Sequence, residues 1–494
     1  MNAKVTFIKN FQIGDIDRRI FGSFVEHLGR AVYTGIYEPG HPQADDNGFR
    51  QDVVELVKEL GVSHVRYPGG NFLSGYDWKD GIGPKESRMR RLDLAWKSIE
   101  SNQVGIDEFY DWSKLVGTFV TAAVNMGTGT PKEAAELMEY CNYPGGTYWS
   151  DLRIKNGHHD PMGIKLWCVG NEMDGAWQIC HLDADDYGKK ALETAKMLKW
   201  VDDSVELVVC GSSSSWQPTF PEWDRKVLEY TYDVADYISL HRYYENEGND
   251  DDFLASFVDM EHFIHTISAV CDYVKALKRS TKTMMLSFDE WNVWYQQHQA
   301  PHDWMEAPPL IEDRYSLLDA LVFAGLGMTL INNCDRVKIA CLAQLVNVIA
   351  PILTEKDGGA IRQSIFYPFK YLSQYAKGVA LKPVIDTPFI ETKYGKTPLL
   401  HLCATYNEAD GEFVVFALNI SRVESLTVSL DMQSFGAVKM IEHISLRGAD
   451  TSAVNTFARP DAVVPIRITP AVASAGVFEV RLEQLSWHVM RFGR

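Results

Sequence analysis

Two glutamates in this chain each close a strongly apolar run. Glu172 follows IKLWCV (164–169) within CVGNEMDG (168–175), and Glu290 ends MMLSFDE (284–290) within SFDEWN. A carboxylate at the end of a buried strand sits where solvent thins and acidity shifts. Two such groups facing each other across a pocket can divide the work of glycosidic bond cleavage. One donates a proton to the leaving oxygen and the other attacks the anomeric carbon. Retention of configuration requires the two carboxyl groups ~5–5.5 Å apart. The bland alternative for either residue alone is a structural salt bridge, but two glutamates in the same setting weaken it. Other chemistries lack their motifs: there is no GxSxG elbow, P-loop or HExxH.

Positioning both groups demands a scaffold that gathers strand ends. Eight apolar runs, at 20–24, 62–67, 119–124, 164–169, 206–211, 237–243, 284–290 and 338–344, alternate with helical stretches. The runs are continuous and not alternating, as in parallel strands covered on both faces. DVVELVKEL (52–60), Asp183 to Trp200 and Glu312 to Ile331 carry the helical period, and Asp183 reads as a cap. The pattern predicts an α/β fold, a (β/α)8 TIM barrel, over 17–378. A doubly wound open sheet is the rival, but no GxGxxG follows the first strand. From Val379 to Arg494 short strands and turns replace helices, which predicts an all-β sandwich over 379–494. A leading strand, VTFIKN (5–10), belongs to that sandwich together with the rest of residues 1–16, because a closed barrel has no edge to receive it.

In such barrels the site lies at the C-terminal strand ends. Those ends offer Glu26 and His27, Arg66 and Asn71, Asn171 and Glu172, His241 and Tyr243, Asp289, Glu290 and Asn292, and Gln344 and Asn347. Asn171 precedes Glu172 and can reach the sugar 2-hydroxyl, where hydrogen bonds strengthen in the transition state. A Tyr243 hydroxyl can donate to a carboxylate and keep it ionised. Glu26 could instead simply pair with Arg66, and Asn71, after two glycines, could be only a turn residue, though the sugar-binding reading is favoured for both. Trp96 reads equally as a loop anchor. His27 and His241 read as supporting or packing residues. His158-His159-Asp160 suggests a metal only in isolation, since it sits in a polar loop away from the strand ends.

The strings FGSFVEHLGRAVYTGIYEPGHP (21–42), RYPGGNF (66–72) and CVGNEMDG are similar to those of the α-L-arabinofuranosidases of glycoside hydrolase family 51. GNE at 170–172 with DEWN at 289–292 resembles the wider clan of barrel glycosidases with glutamates on strands four and seven. The resemblance covers essentially the whole chain. It implies a retaining, exo-acting enzyme that removes terminal α-L-arabinofuranosyl residues from oligosaccharides, arabinan or arabinoxylan fragments. Glu172 would be the acid/base and Glu290 the nucleophile. Glu26, Asn71 and Asn171 would bind the sugar hydroxyls, Tyr243 would orient the nucleophile, Gln344 would close the pocket and Trp96 would wall it. No cofactor and no metal would be required, and the family implies a homo-oligomer, a hexamer. An endo-glucanase or xylanase with the same two glutamates is the alternative, separated by an open groove in place of a pocket. A non-catalytic carbohydrate-binding barrel is the other.

The formal charge of −18 argues against nucleic acid and anionic membrane as partners and suits a neutral substrate. The eight cysteines include no CxxC, and Cys168, Cys210 and Cys341 lie in apolar runs. The first residues, MNAKVTFIKNFQIGD, lack an apolar signal core, and no apolar run reaches ~18 residues. These features lead to the expectation of a reducing, cytoplasmic compartment.

Overall fold

The computed structural model describes residues 1–296 and 302–493. All eight apolar runs form strands, and the eight close into one parallel barrel. In chain order they are Gly22–Phe24, His64–Tyr67, Phe119–Val124, Leu166–Val169, Glu206–Val209, Tyr237–Tyr244, Met285–Val293 and Val337–Ala343. Each pairs with its sequence neighbours, and the last closes on the first through Cys341 opposite Gly22. The strands are short because the barrel needs only a few residues of each to fill its interior. Strands six and seven are longest, and their extra residues reach the mouth, where His241 lies beside Glu290.

The helical stretches fold as their periods require. Gln51–Leu60 ends on Gly61, whose φ of +77° makes the left-handed cap that glycine adopts at least cost. Ala184–Val201 begins at Asp183, which accepts from the Asp186 amide at 2.8 Å. The helix expected from Glu312 starts only at Leu317, because Ser316 and Asp319 form a capping box that fixes its first turn there. That helix, Leu317–Asn332, is apolar on nearly every face because it is covered twice. Trp291 of strand seven packs on its Phe323, while on the other side Asn332 donates to the Leu402 carbonyl and Trp487 to the Met328 sulfur.

The C-terminal part forms two main sheets and a small separate hairpin, Phe389–Thr392 with Gly395–Pro398. One main sheet has seven strands and the other four. Phe478 of the smaller sheet meets Phe492 of the larger at 5.0 Å between ring centroids, so the two face one another as a sandwich. The leading strand does join this region, but as Asn2–Thr6 and not 5–10: it lies parallel to Leu426–Asp431 and antiparallel to Val384–Asp386. Its alternating burial seats Ala3 and Val5 inward. A second N-terminal strand, Gln12–Asp15, pairs with Val379–Leu381 in the larger sheet. All eight cysteines are free thiols, seven of them buried. Among the described residues no helix is long and apolar enough to cross a membrane.

Candidate active site

The eight residues to which the resemblance gives catalytic or sugar-binding roles line one cavity at the C-terminal mouth of the barrel. Glu26, Asn71, Trp96, Asn171, Glu172, Tyr243, Glu290 and Gln344 help enclose about 340 Å³, with every barrel strand except the third, or the loop after it, contributing to the walls. That volume lies at the small end of ligand pockets, ~300–1,000 Å³, and suits a single sugar more than a chain.

Glu290 sits within strand seven and is buried. Arg66 Nη1 donates to its Oε1 at 2.7 Å, and the Tyr243 hydroxyl donates to its Oε2 at 2.7 Å. His241 Nδ1 lies 3.6 Å from the same Oε2. Burial pushes this carboxyl up, but His241, Arg66 and the Tyr243 hydroxyl outweigh it and hold Glu290 below the usual carboxylate range. Tyr243 is driven the other way, by burial and then by the Glu290 charge, so it stays a protonated donor.

Glu172 lies just beyond strand four, where the backbone turns. Gly170 has φ +99°, and a Cβ there would meet Met126 Cβ at 2.9 Å, so only glycine fits. Glu172 itself has φ +45°, a left-handed conformation that costs a residue with a Cβ ~1–3 kcal/mol. The turn swings its side chain into the mouth. His241 Nδ1 meets Glu172 Oε1 at 3.0 Å, and Trp177 Nε1 donates to Oε2 at 2.7 Å. Burial lowers the His241 pKa, but Glu290 and Glu172 raise it above its ordinary value.

Donor atoms of Glu172, His241 and Glu290 all lie within 4.8 Å of one another, the one such trio among the described residues. These are also the atoms a divalent cation would need. They are already engaged with one another and with Arg66, Tyr243 and Trp177.

The sugar-binding candidates surround this pair. Arg66 does not pair with Glu26. Its second arm, Nη2, donates to Asn171 Oδ1 at 2.5 Å, so one guanidinium aligns Glu290 and Asn171 together. Asn171 Nδ2 is buried without a protein partner and lies 3.3 Å from where a Gly70 Cβ would be. A buried amide donor on a cavity wall is matched by a ligand hydroxyl. Glu26 accepts from the Phe72 amide and from Trp96 Nε1, both at 2.9 Å, and Gln344 Nε2 approaches it at 3.4 Å. Burial pushes Glu26 up to about 7 despite those donors. Asn71 lines the cavity at the start of the short helix Phe72–Gly75.

Sequence reasoning undervalued His241, which touches both glutamates, and passed over Trp177, Ser213, Ser214 and Trp294, which also line the cavity. Trp177 follows Glu172 by five residues and Trp294 follows Glu290 by four, a proximity that the sequence displays. Ser213 donates through its amide and hydroxyl to Asp174, at 3.0 Å each, and so ties strand five to the Glu172 loop. His158 lies elsewhere, paired with Asp111 at 3.2 Å.

Comparison with known proteins places this geometry. Residues 56–262 match the family model "Alpha-L-arabinofuranosidase 1 domain", and residues 289–486 match "Alpha-L-arabinofuranosidase C-terminal domain". The chain is 50% identical over 494 residues to an intracellular exo-α-(1→5)-L-arabinofuranosidase of Bacillus subtilis, covering 99% of this chain and 98% of that one. It is 47% identical to an exo-α-(1→6)-L-arabinofuranosidase of Bifidobacterium longum, covering 98% and 96%. A solved family 51 α-L-arabinofuranosidase from Bifidobacterium longum superposes with TM-score 0.96 at 43% identity, covering 99% of each chain. The α-L-arabinofuranosidase of Thermotoga maritima, solved with arabinose, does so with TM-score 0.88 at 33%, again over 99% of each. With half its residues identical to such enzymes over nearly full length and the same fold, this chain belongs to the α-L-arabinofuranosidases of glycoside hydrolase family 51.

Proposed function

We propose that the protein is a retaining exo-α-L-arabinofuranosidase in which Glu290 is the nucleophile and Glu172 the acid/base. The carrying observation is the close pair of carboxylates, with an oxygen of each within 4.8 Å, at the floor of a one-sugar pocket. That closeness fits the retaining separation of ~5–5.5 Å better than the inverting one of ~6.5–9.5 Å. Glu290, held ionised, attacks the anomeric carbon as Glu172 protonates the departing oxygen. The bond to the leaving sugar breaks and an ester to Glu290 forms. Water then attacks the same carbon, losing its proton to Glu172, and Glu290 departs as the carboxylate. Asn171, Glu26, Asn71 and Gln344 bind the hydroxyls of the arabinofuranosyl ring, and Trp96 covers it.

The substrates in this reading are arabinofuranosyl-containing oligosaccharides. The names of the relatives support it, as does a pocket where an endo-acting glucanase or xylanase would need a groove. The relatives named intracellular support action inside the cell, on oligosaccharides already imported. The same reading divides the chain into a catalytic barrel, 17–378, and a sandwich, 379–494 with 1–16. It also carries the family's homo-oligomeric, hexameric state, which light scattering reads directly.

The test is hydrolysis of a panel of aryl glycosides. Strong preference for α-L-arabinofuranoside over β-D-xyloside, β-D-glucoside and β-D-cellobioside supports the reading. Preference for cellobioside or xyloside would keep the two carboxylates and discard the substrate. Tight sugar binding without turnover would favour a binding protein.

A further inference from the structure

Trp96 does not belong to the barrel. It sits in the turn of a small hairpin, Arg91–Asp93 paired with Ser98–Glu100, inserted after strand two. Such a hairpin has no core of its own, and two isolated strands are marginal in water. Something must hold it over the pocket. The outer attachments are two contacts to its backbone and one ion pair: His302 Nε2 bonds the Trp96 carbonyl at 2.6 Å, the Ile99 amide donates to Met305 O at 2.9 Å, and exposed Arg91 donates to Asp80 at 2.8 Å.

The inner attachment is a buried polar cluster at the hairpin's last residue. Glu100 Oε2 meets His27 Nδ1 at 2.9 Å, and its Oε1 accepts from the Asn102 amide at 2.6 Å and from the Tyr33 hydroxyl. His27 Nε2 meets the Tyr67 hydroxyl at 2.7 Å, and its ring stacks on Phe72 at 4.9 Å. Burial pushes Glu100 up, but His27, Tyr33 and the Asn102 amide outweigh it and hold it ionised.

This cluster closes a loop with the pocket. His27 follows Glu26 in the chain. Phe72, which stacks on His27, gives its amide to Glu26 Oε1, the oxygen that also accepts the Trp96 indole. So Glu26 and Trp96 share one bond at the pocket wall, while His27 and Glu100, their respective neighbours, share another beneath it. Neither His27 nor Glu100 lines the cavity.

We infer that His27 and Glu100 are positioning residues for sugar recognition, a buried pair that locks the Trp96 hairpin onto Glu26 and so sets the shape of the glycone pocket. This rests on the proposed role of Glu26 and Trp96 in binding the arabinofuranosyl ring. A pair that acts only through that wall changes binding of the sugar more than the chemical step, because the wall contacts ground state and transition state alike.

The test is steady-state kinetics on an aryl α-L-arabinofuranoside, with a double-mutant cycle. Glu100→Ala should raise KM about tenfold, the loss expected from one charge-assisted contact, and change kcat less than about threefold. Glu100→Gln keeps the size and an acceptor oxygen for Asn102 and Tyr33, and should return KM to within about threefold of wild type. In a Trp96→Ala background, Glu100→Ala should add nothing to KM. Independent, multiplying effects on KM would overturn the inference, as would a fall in Tm with KM unchanged. If Glu100→Ala does not fold, Tyr33→Phe removes one hydroxyl from the cluster and runs the same cycle, with a KM rise of about threefold. Should the wild type turn over arabinofuranosides while Trp96→Ala leaves KM unchanged, this inference falls and the two-carboxylate reading stands. Should the wild type reject arabinofuranosides, the substrate reading itself has failed.

Discussion

The wall that carries Glu290 and the wall that carries Glu172 are built on different plans. Glu290 stands inside a nine-residue strand paired with its neighbours on both sides, and everything from Leu286 to Val293 is buried. Its oxygens meet a guanidinium and a phenol, with an imidazole beside them. Glu172 stands past the end of a four-residue strand, in a turn with φ +45°. One of its oxygens is held by Trp177, a residue of the same loop that is 52% exposed, and the other meets the shared imidazole of His241 at 3.0 Å. The contrast follows from what each proposed role requires. A nucleophile must be charged and fixed before substrate arrives, so fixed cationic and phenolic donors suit it. An acid/base gains and loses a proton in every cycle. It suits a turn beyond the strand end, with a neutral indole donor at the half-exposed rim.

Removing each carboxylate is the most forceful way to break this comparison. Glu290→Ala should lower kcat by about 10⁴-fold or more, since no other group can form the ester. Azide in the vacated space should restore turnover of an activated aryl arabinofuranoside and yield the β-configured glycosyl azide. Absence of rescue would remove the nucleophile assignment. Glu172→Ala should cost about 10²–10⁴-fold on arabino-oligosaccharides, whose leaving groups need a proton, and far less on an activated aryl glycoside. Here azide should trap the intermediate with the opposite outcome, the α-configured product. Equal losses on both substrates would refute the acid/base role, and the same azide anomer from both variants would refute the asymmetry.

A subtler change separates charge from position. Tyr243→Phe keeps the ring and removes the hydroxyl that donates to Glu290. Loss of a hydrogen bond to a charged group, ~1.5–3 kcal/mol, predicts a fall in kcat of about 10- to 100-fold. The pH profile gives the sign. The native Glu290 carboxyl lies below its ordinary value, partly through Tyr243, and must be ionised to attack. Its pKa should rise in the variant, so the acid limb of kcat/KM moves to higher pH. An unmoved acid limb would mean that Tyr243 only packs.

The plan of both walls was legible to different depths. The eight strands and their order could be read because a barrel interior demands continuous apolar runs, and the ends of six of them offered polar residues, each of those six ends contributing to the cavity. Glu172 and Glu290 followed from that register. The partners did not. Arg66 is buried and reads as compatible with any nearby acid, and only the barrel's closure brings strand two's Arg66 to strand seven's Glu290. His241 reads as packing because nothing local distinguishes a histidine set between two glutamates from one that fills a core. The leading strand was placed four residues late at its far end, since Phe7 and Ile8 extend the apolar texture past the last paired residue, Thr6. The helix near 312 began late because a Ser–Asp capping box overrides the apolar period before it.

The smallest expected effect probes the weaker wall. Trp177→Phe removes the indole N–H from Glu172 Oε2 and leaves an aromatic ring in the loop. The indole is neutral and half-exposed, so water can replace part of what it supplies, and a net ~0.5–1 kcal/mol predicts a twofold to fivefold loss of kcat. The loss should be larger on an oligosaccharide than on an activated aryl arabinofuranoside, because only the former depends on Glu172 as an acid. That substrate dependence distinguishes orientation of the acid from simple packing, which would affect both equally. A loss as large as that of Tyr243→Phe would show that the loop wall is as tightly specified as the strand wall, and the contrast between them would then rest on backbone position alone.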